Sequence, residues 1–345
     1  MKKPFPRNVR LDRPGSAGGG KSARRRALER LLLSNRIVNR ILANSARLAL
    51  TALIVPRFIA PYRLELTRYP LPLPNLAPAL RGYTILHLTD LHIGRTRQSY
   101  LESTIDRLLA LSPAPDIILI TGDLIDYHPR ALPLAKSLLT RLAKKASHIK
   151  DGIITIFGNH DYHEYSWRHI GPRSAHRAVH KRLVKIVEDA GIKILRNQSI
   201  TIERPPAKLQ IVGLDELWTG LANPAAAFQN INPELPTLVL QHNPDAIFSL
   251  LEFPWHHMLC GHSHGGQANF PILGPLYIPM EHRQFLKGFF PFAPHPAHAA
   301  IGQNQPRQIF VSRGIGHSHP IRLRCPPEAT VFSLCSIAPA TATTV

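Results

Sequence analysis

The sequence predicts a layered α/β sandwich, and the first of three supporting observations is the order of its elements. Apolar runs typical of strands occur at Tyr83–Asp90, Asp116–Leu124 and Gly152–Asp161, with helical patterns at 99–113 and 132–146 between them. Strand-like runs then dominate, in "LQIVGLD", "TLVLQHNP", "HHMLCGHSH" and "RQIFVSR". That strand-rich second half is the second observation, and the third is that most of these runs end in polar residues. Alternation first and strands later indicates packed layers of sheet and helix.

Composition divides the chain into five segments. Residues 1–26 are basic and glycine-rich, which predicts disorder. Residues 27–69 are expected to form a basic amphipathic helical arm. Residues 70–80 contain "PLPLPNLAP", a proline-rich stretch that cannot be helical and is interpreted as a linker. The body is expected over 81–335, and residues 336–345 resemble a frayed tail.

The basic charge of the chain is concentrated in the arm. The formal net charge is +20, and residues 1–60 hold 14 Lys and Arg against 2 Asp and Glu, which is +12. Aliphatic residues of the arm are interleaved with arginines, a pattern that suits an anionic membrane surface. Its longest apolar run, Leu48–Val55, is far shorter than the ~20 residues of a spanning helix. An export signal around Arg24–Arg26 and a solubilising or packing helix remain open as alternatives.

Three cysteines, Cys260, Cys325 and Cys335, provide no disulfide framework. Their odd number favours a reducing compartment. Together with the basic arm, this predicts peripheral attachment at the cytoplasmic face of the inner membrane, with export as the less favoured alternative.

Residues that can bind metal ions follow the apolar strands, where open α/β sheets bind ligands. They are Asp90, His92, Asp123, Asn159, His242, His262 and His264. Imidazole and carboxylate ligands suit Zn, Fe or Mn. Seven ligands are too many for one tetrahedral ion, but they suit two divalent ions about 3.5–4 Å apart that share a carboxylate. Asp123 is the natural bridge.

The motifs "TDLHIG", "GDLID", "GNHD", "QHNPD" and "GHSHGGQ", in that order, resemble the five motifs of the calcineurin-like metallophosphoesterases. The resemblance covers residues 81–335 and implies two mixed sheets flanked by helices. The segment Val311–Glu328 resembles one bacterial branch of membrane-associated or exported members. That branch includes the chlamydial-type UDP-2,3-diacylglucosamine pyrophosphatases.

The resemblance also implies roles for single residues. The first ion would be held by Asp90, His92, Asp123 and His264. The second would be held by Asp123, Asn159, His242 and His262. A hydroxide bridging the two ions would attack phosphorus, with His160 as proton donor or transition-state stabiliser. Asp126 would orient His160, although a plain turn residue is an equal alternative.

One departure from the family narrows the substrate. In the protein-phosphatase branch an Arg-Gly pair follows the aspartate equivalent to Asp126, and that arginine grips phosphate. Here Tyr127 and His128 stand in its place. This disfavours phosphoproteins and favours diesters or pyrophosphates.

The basic arm favours a lipid-linked phosphodiester or pyrophosphate as substrate, with UDP-2,3-diacylglucosamine as the specific candidate. The aromatic segment Met280–Phe292 is interpreted either as a lipid-headgroup edge or as core. His317 and His319 are expected to be loop residues or substrate contacts. Two alternatives stay open: a general phosphodiesterase or nuclease whose arm grips nucleic acid, and a non-catalytic, metal-stabilised binding module.

Overall fold

A computed structural model of the chain describes residues 19–74, 76–126, 128–163, 173–275, 278–300 and 306–336. The chain divides into two compact units, Met1–Leu53 and Ile54–Val345. Every predicted site residue belongs to the second unit.

The described part of the first unit is helical. Helix α1 runs over Gly19–Ile54 and is followed by a turn at Val55–Ile59 that contains Pro56. The predicted disordered segment 1–26 is therefore wrong for its last eight residues, and residues 1–18 lie outside the described chain. Leu33, Ile37 and Ile41, spaced four apart on one face, have 57, 57 and 59% of their side chains exposed. In the described chain, no helix combines the length and apolar character needed to cross a membrane.

The second unit contributes six further helices and fourteen strands to the described chain. The helices are α2 (Gln98–Leu109), α3 (Ala131–Lys145), α4 (Asn159–Tyr162), α5 (Arg173–Asp189), α6 (Pro224–Ala227) and α7 (Pro296–Ala300). The strands are β1 (Glu65–Leu73), β2 (Thr84–Leu88), β3 (Ile117–Thr121), β4 (Ile153–Ile156), β5 (Lys193–Ile194), β6 (Gln198–Arg204), β7 (Ala207–Gly213), β8 (Thr237–Leu240), β9 (His257–Cys260), β10 (Asn269–Phe270), β11 (Gly274–Pro275), β12 (Gly288–Phe292), β13 (Arg307–Val311) and β14 (Glu328–Ser336).

The strands form two six-stranded mixed sheets and one small hairpin. The first sheet has the order β1-β14-β2-β3-β4-β5, and the second has the order β12-β13-β9-β8-β7-β6. Strands β2, β3, β4 and β5 are parallel, as are β7, β8, β9 and β13. The hairpin pairs β10 with β11. The predicted α/β sandwich of two mixed sheets is confirmed.

The segment 65–73 forms a strand, which corrects the predicted arm and linker. Strand β1 pairs in parallel with β14, with Glu65 opposite Glu328 and Leu73 opposite Ser336. Prolines are tolerated here because β1 lies at the edge of its sheet. Leu71 and Leu73 are fully buried. The second unit thus begins at Ile54 and not at residue 81. Of the predicted tail, residue 336 ends β14, and 337–345 lie outside the described residues.

Three apolar clusters stabilise these layers. One lies between the sheets, with Ile85 and Leu119 facing Leu238 and Leu240. A second packs the first sheet against α2, α3 and α5. The third covers the second sheet and contains Phe285, which is only 4% exposed. The other phenylalanines of Met280–Phe292 pack against these clusters too. The aromatic segment is therefore core, and its interpretation as a lipid-headgroup edge is wrong.

Candidate metal centre

Four predicted ligands meet beyond the carboxyl ends of β2, β3 and β9. The ligand atoms of Asp90, His92, Asp123 and His264 lie within 4.8 Å of one another, and all four side chains are buried. Nε2 of His92 is 2.9 Å from Nε2 of His264. Nε2 of His264 is 3.3 Å from Oδ1 of Asp90, and Nε2 of His92 is 3.5 Å from Oδ2 of Asp123. Two imidazoles and two carboxylates that converge on one buried point suit a divalent cation.

The remaining ligands lie on the other side of Asp123. Nδ1 of His242 donates to the carbonyl of Thr121 (2.7 Å), which directs Nε2 to 3.2 Å from Oδ2 of Asp123. Nε2 of His262 donates to the carbonyl of Pro279 (2.7 Å), which leaves Nδ1 facing Oδ1 of Asn159 at 2.9 Å. Such backbone acceptors fix the orientation of metal-binding imidazoles.

Asp123 joins the two groups because Oδ2 faces His92 and His242, while Oδ1 accepts from the backbone N–H of His160 at 2.9 Å. All seven predicted ligands are therefore brought together, and the ligand set suits two divalent ions that share one carboxylate. When bound, such ions would polarise phosphoryl oxygens and lower the pKa of a water molecule.

The backbone is strained at most of these ligands. Asp90, His92, Asp123, His262 and His264 have φ angles of 54, 45, 51, 69 and 49°. Positive φ is uncommon outside glycine and costs about 1–3 kcal/mol per residue. The surrounding structure must hold each of these residues in this conformation.

The two aspartates create a strongly negative site. Burial raises the pKa of Asp123, but the neighbouring imidazoles, first that of His242, hold it well below its usual range. Burial lowers the pKa of His242, yet the Asp123 carboxylate raises it to about 10. For His92, burial likewise lowers the pKa, and hydrogen bonds to Asp126 and Asp90 raise it to about 9. The carboxylates thus attract positive charge, whether a proton or a metal ion.

The last two histidines are held neutral. Burial first, and then the charge of His242, lowers the pKa of His262 to about 4. Burial also lowers the pKa of His264 well below its usual value. A neutral imidazole is the form that binds a metal ion, so these two rings need lose no proton to bind one at neutral pH.

The predicted pair of His160 and Asp126 is present beside the cluster. Nδ1 of His160 lies 2.9 Å from Oδ1 of Asp126, and Nε of Arg95 donates to Oδ2 of the same carboxylate at 2.8 Å. Burial raises the pKa of Asp126, but hydrogen bonds to His160 and His92 outweigh this effect and hold the pKa below its usual value. Asp126 is therefore a charged partner of His160. Tyr127, the next residue, lies outside the described chain.

A cavity of about 550 Å³ opens onto the cluster, and sequence reasoning missed part of its wall. Arg95, Trp218 and Met280 line it together with His160 and Asp123. The Trp218 ring meets the His262 ring edge-on, with 4.6 Å between their centroids. Arg95 directly follows the motif after β2, and Trp218 follows β7, so their positions at strand ends were the available signal.

The two histidines of Gly316–His319 separate. His319 lines the cavity of about 550 Å³. His317 is fully buried and meets the Tyr62 ring edge-on, with 5.7 Å between the ring centroids. Burial lowers the pKa of His317 to about 3, so it packs as a neutral ring.

Comparison with known proteins agrees with this geometry. Residues 83–266 match the calcineurin-like phosphoesterase family. The chain is 33% identical over 262 residues to the phosphodiesterase YaeI of Escherichia coli, covering 75% of this chain and 83% of that protein. It is 28% identical over 312 residues to the UDP-2,3-diacylglucosamine pyrophosphatase LpxG of Chlamydia trachomatis, covering 78% and 89%. It is also similar to the metallophosphoesterase YkuE of Bacillus subtilis, 27% identical over 81% of this chain and 88% of that protein. The chain therefore belongs to the calcineurin-like phosphoesterase family and is a hydrolase of phosphoester bonds.

Proposed function

We propose that this enzyme cleaves a phosphodiester or pyrophosphate bond in a lipid-linked substrate, with UDP-2,3-diacylglucosamine, cleaved to UMP and lipid X, as the leading candidate. The observation that carries the reaction type is the buried cluster of seven ligands around Asp123, open to a cavity of about 550 Å³. That volume is within the range of ~300–1,000 Å³ typical of small-molecule sites.

The ligands are assigned as the contacts group them. Asp90, His92 and His264 would hold the first ion with Asp123, and Asn159, His242 and His262 would hold the second with the same Asp123. His160 protonates the leaving oxygen. Because Asp126 holds Nδ1 of His160 at 2.9 Å, the proton transfer is assigned to Nε2. Asp126 keeps the ring oriented.

Arg95 is assigned to the substrate phosphate that is not attacked. It lines the catalytic cavity, and its Nε is held by Asp126. A guanidinium group fixed in this way presents its remaining N–H groups as a fork that matches phosphate oxygens. It takes the place of the phosphate-binding arginine that is missing from positions 127 and 128.

The lipid-linked substrate is supported by the similarity to the chlamydial pyrophosphatases, which extends over 89–90% of their length. The exposed aliphatic face of α1 and the +12 charge of residues 1–60 support binding to an anionic membrane surface. We place the protein peripherally, at the cytoplasmic face of the inner membrane. Flotation with vesicles of anionic and of neutral lipid tests this placement, and equal recovery with both would contradict it.

A general phosphodiesterase is the second candidate, because identity to the Escherichia coli phosphodiesterase (33%) exceeds that to the chlamydial enzymes (27 and 28%). Its substrates would include nucleic acid, and binding through the arm would then weaken steeply with salt.

One assay separates the candidates. Purified full-length protein with Mn²⁺ is given UDP-2,3-diacylglucosamine or bis(4-nitrophenyl) phosphate, and UMP or 4-nitrophenolate is measured. UMP release is expected. Turnover of the nitrophenyl diester alone would leave the general phosphodiesterase, and turnover of neither would reject both candidates.

A further inference from the structure

We propose that the catalytic cavity continues into an apolar subsite that binds a hydrocarbon chain of the substrate. The proposal rests on the proposed function, because the chain is attached to the phosphoryl group bound at the cluster. A second cavity of about 240 Å³ adjoins the catalytic one, and the two share His264, Pro279, Ser318 and His319 as walls. A molecule bound at the cluster can therefore extend into it.

Three polar side chains that line the second cavity, Ser263, Gln267 and Ser318, are bonded to neighbouring groups. The Ser263 hydroxyl donates to the carbonyl of Leu286 and accepts from the backbone N–H of Gly265. The Gln267 amide donates to the carbonyl of His319 at 2.7 Å, and its oxygen accepts from the Ser318 hydroxyl at 3.3 Å. These three side chains offer no free partner to a polar ligand group, which would lose water on entering.

Apolar side chains form another part of the wall. Ala268, Pro279 and Ile321 line the cavity. Its volume is below the ~300–1,000 Å³ of sites for whole drug-sized molecules, so it suits one chain of a larger substrate. Hydrocarbon is the chemistry that gains most from such a surface, because burial of each methylene is favourable.

An apolar surface lies on the hairpin that is bonded beside this wall. The β10–β11 hairpin begins at Asn269, whose backbone N–H donates to the carbonyl of Leu323. Leu323 is two residues after Ile321, which lines the cavity. Ile321 is 44% exposed, and at the hairpin tip Ile272 is fully exposed and Leu273 is 74% exposed. A chain longer than the cavity would continue along these side chains. This path suits an amphiphilic phosphoester and not a free nucleotide.

The test is a series of 4-nitrophenyl alkyl phosphates with methyl, butyl and octyl chains, hydrolysed by the full-length protein with Mn²⁺. Each methylene that enters the subsite should raise kcat/KM about fourfold until the cavity is full. The octyl ester should therefore exceed the methyl ester by at least about tenfold.

Two variants examine the wall directly. Ala268→Phe fills the cavity, so kcat/KM for the octyl ester should fall at least about tenfold while that for the methyl ester is unchanged. Ile321→Ser should lower kcat/KM for the octyl ester by a smaller factor, about fourfold. Leu134→Ser, at a comparably exposed leucine of α3 (38%), is the matched control and should change neither ester. Thermal melting checks that each variant folds. If Ala268→Phe does not fold, the result for Ile321→Ser decides whether the subsite exists.

Equal kcat/KM for all three esters, or equal loss of methyl and octyl turnover in the wall variants, would overturn the subsite while leaving the proposed hydrolase intact. If no ester is cleaved, the proposed function fails instead. Calorimetric binding of octylphosphonate and methylphosphonate to the Mn²⁺-loaded protein then tests the subsite alone. Tighter binding of the octyl compound by at least about tenfold supports it, and equal binding rejects it.

Discussion

The two ends of strands β2 and β3 use carboxylates in opposite ways. At the amino ends, Asp116 accepts hydrogen bonds from the backbone N–H (2.8 Å) and hydroxyl (3.1 Å) of Thr84. Asp151, beside it, accepts from Tyr83 and pairs with Arg204. At the carboxyl ends, Asp90 and Asp123 face several imidazoles across a buried space, from a strained backbone.

The difference shows what separates a structural carboxylate from a metal-binding one. Donors of the chain itself satisfy Asp116 and Asp151, so these groups fasten elements together. The carboxylates of Asp90 and Asp123 instead lie beside each other and beside several imidazoles in one buried space. A cation bound there would offset the charge of the two carboxylates. The amino-end edge therefore contributes stability, whereas the carboxyl-end edge contributes chemistry. The predictions below test this contrast, from the largest expected effect to the smallest.

Asp123→Asn should abolish turnover of bis(4-nitrophenyl) phosphate, a loss of at least about 10⁴-fold, because the shared ligand supports both ions and each stabilises charge by several kcal/mol. Asp116→Asn is the matched control at the other end of β3, and its kcat should stay near wild type. Metal content by elemental analysis should fall from two ions to one or none only in Asp123→Asn. Full metal occupancy in that variant would contradict the assignment of Asp123 as the bridge.

His160→Ala should lower kcat by about 10³-fold on diesters with alkoxide leaving groups, because a positioned general acid contributes ~10²–10⁴-fold. The loss should be much smaller for 4-nitrophenolate, which leaves without a proton. His148→Ala, at an exposed histidine, controls for the loss of an imidazole. A loss of equal size for both leaving groups would rule out His160 as the proton donor.

Leu240→Ala should lower the free energy of unfolding by about 2–5 kcal/mol, because Leu240 is fully buried between the sheets. Urea denaturation measures this change. At 25 °C the kcat of the folded fraction should remain at the wild-type value, since Leu240 contacts no substrate. A change in the kcat of the folded fraction would show that the core and the site are coupled.

Glu216→Gln should make the free energy of unfolding less sensitive to pH. Burial raises the pKa of Glu216 to about 7, against the backbone N–H groups that lower it. As pH rises through 4.5 and on to 7, the unfolded chain loses this proton before the folded state does, so the wild type loses stability. With a chelator present, the variant should be about 3 kcal/mol more stable at pH 8 and equal at pH 4. Parallel stability curves would contradict the raised pKa.

Arg95→Met should raise KM by about tenfold and change kcat little, because one charge-assisted hydrogen bond is worth about 1.5–3 kcal/mol and part of it is screened at this half-exposed position. Steady-state kinetics on a pyrophosphate substrate measures the effect. Arg141→Met, which removes an ion pair with Asp106 elsewhere on the surface, is the control. A fall in kcat alone would instead assign Arg95 to orienting Asp126.

The sequence was sufficient to predict the sandwich and the convergence of seven ligands, because strands with polar ends reveal both the sheet and its functional edge. It did not reveal the positive φ angles at Asp90 or His264, because aspartate and histidine, although enriched at positive φ, adopt it in only a small share of cases. Pro70 and Pro72 led to the wrong prediction of a linker, because proline is excluded from inner strands but tolerated in edge strands. The sheet order shows that β1 is an edge strand, paired with β14. Trp218 and Glu216 follow the end of β7, and that position was their one signal, because neither residue fits a metal-ligand pattern.

The position of β14 has a consequence for how the chain folds. This strand lies between β1 and β2, and its register joins Glu65 to Glu328 across 263 positions. Closing so long a loop is slow, and contacts this distant delay folding. During synthesis, β1 therefore has no partner until residue 336 has emerged, when all ligands have already been made. The first sheet is completed last, so metal ions are expected to be captured late, by a nearly finished protein.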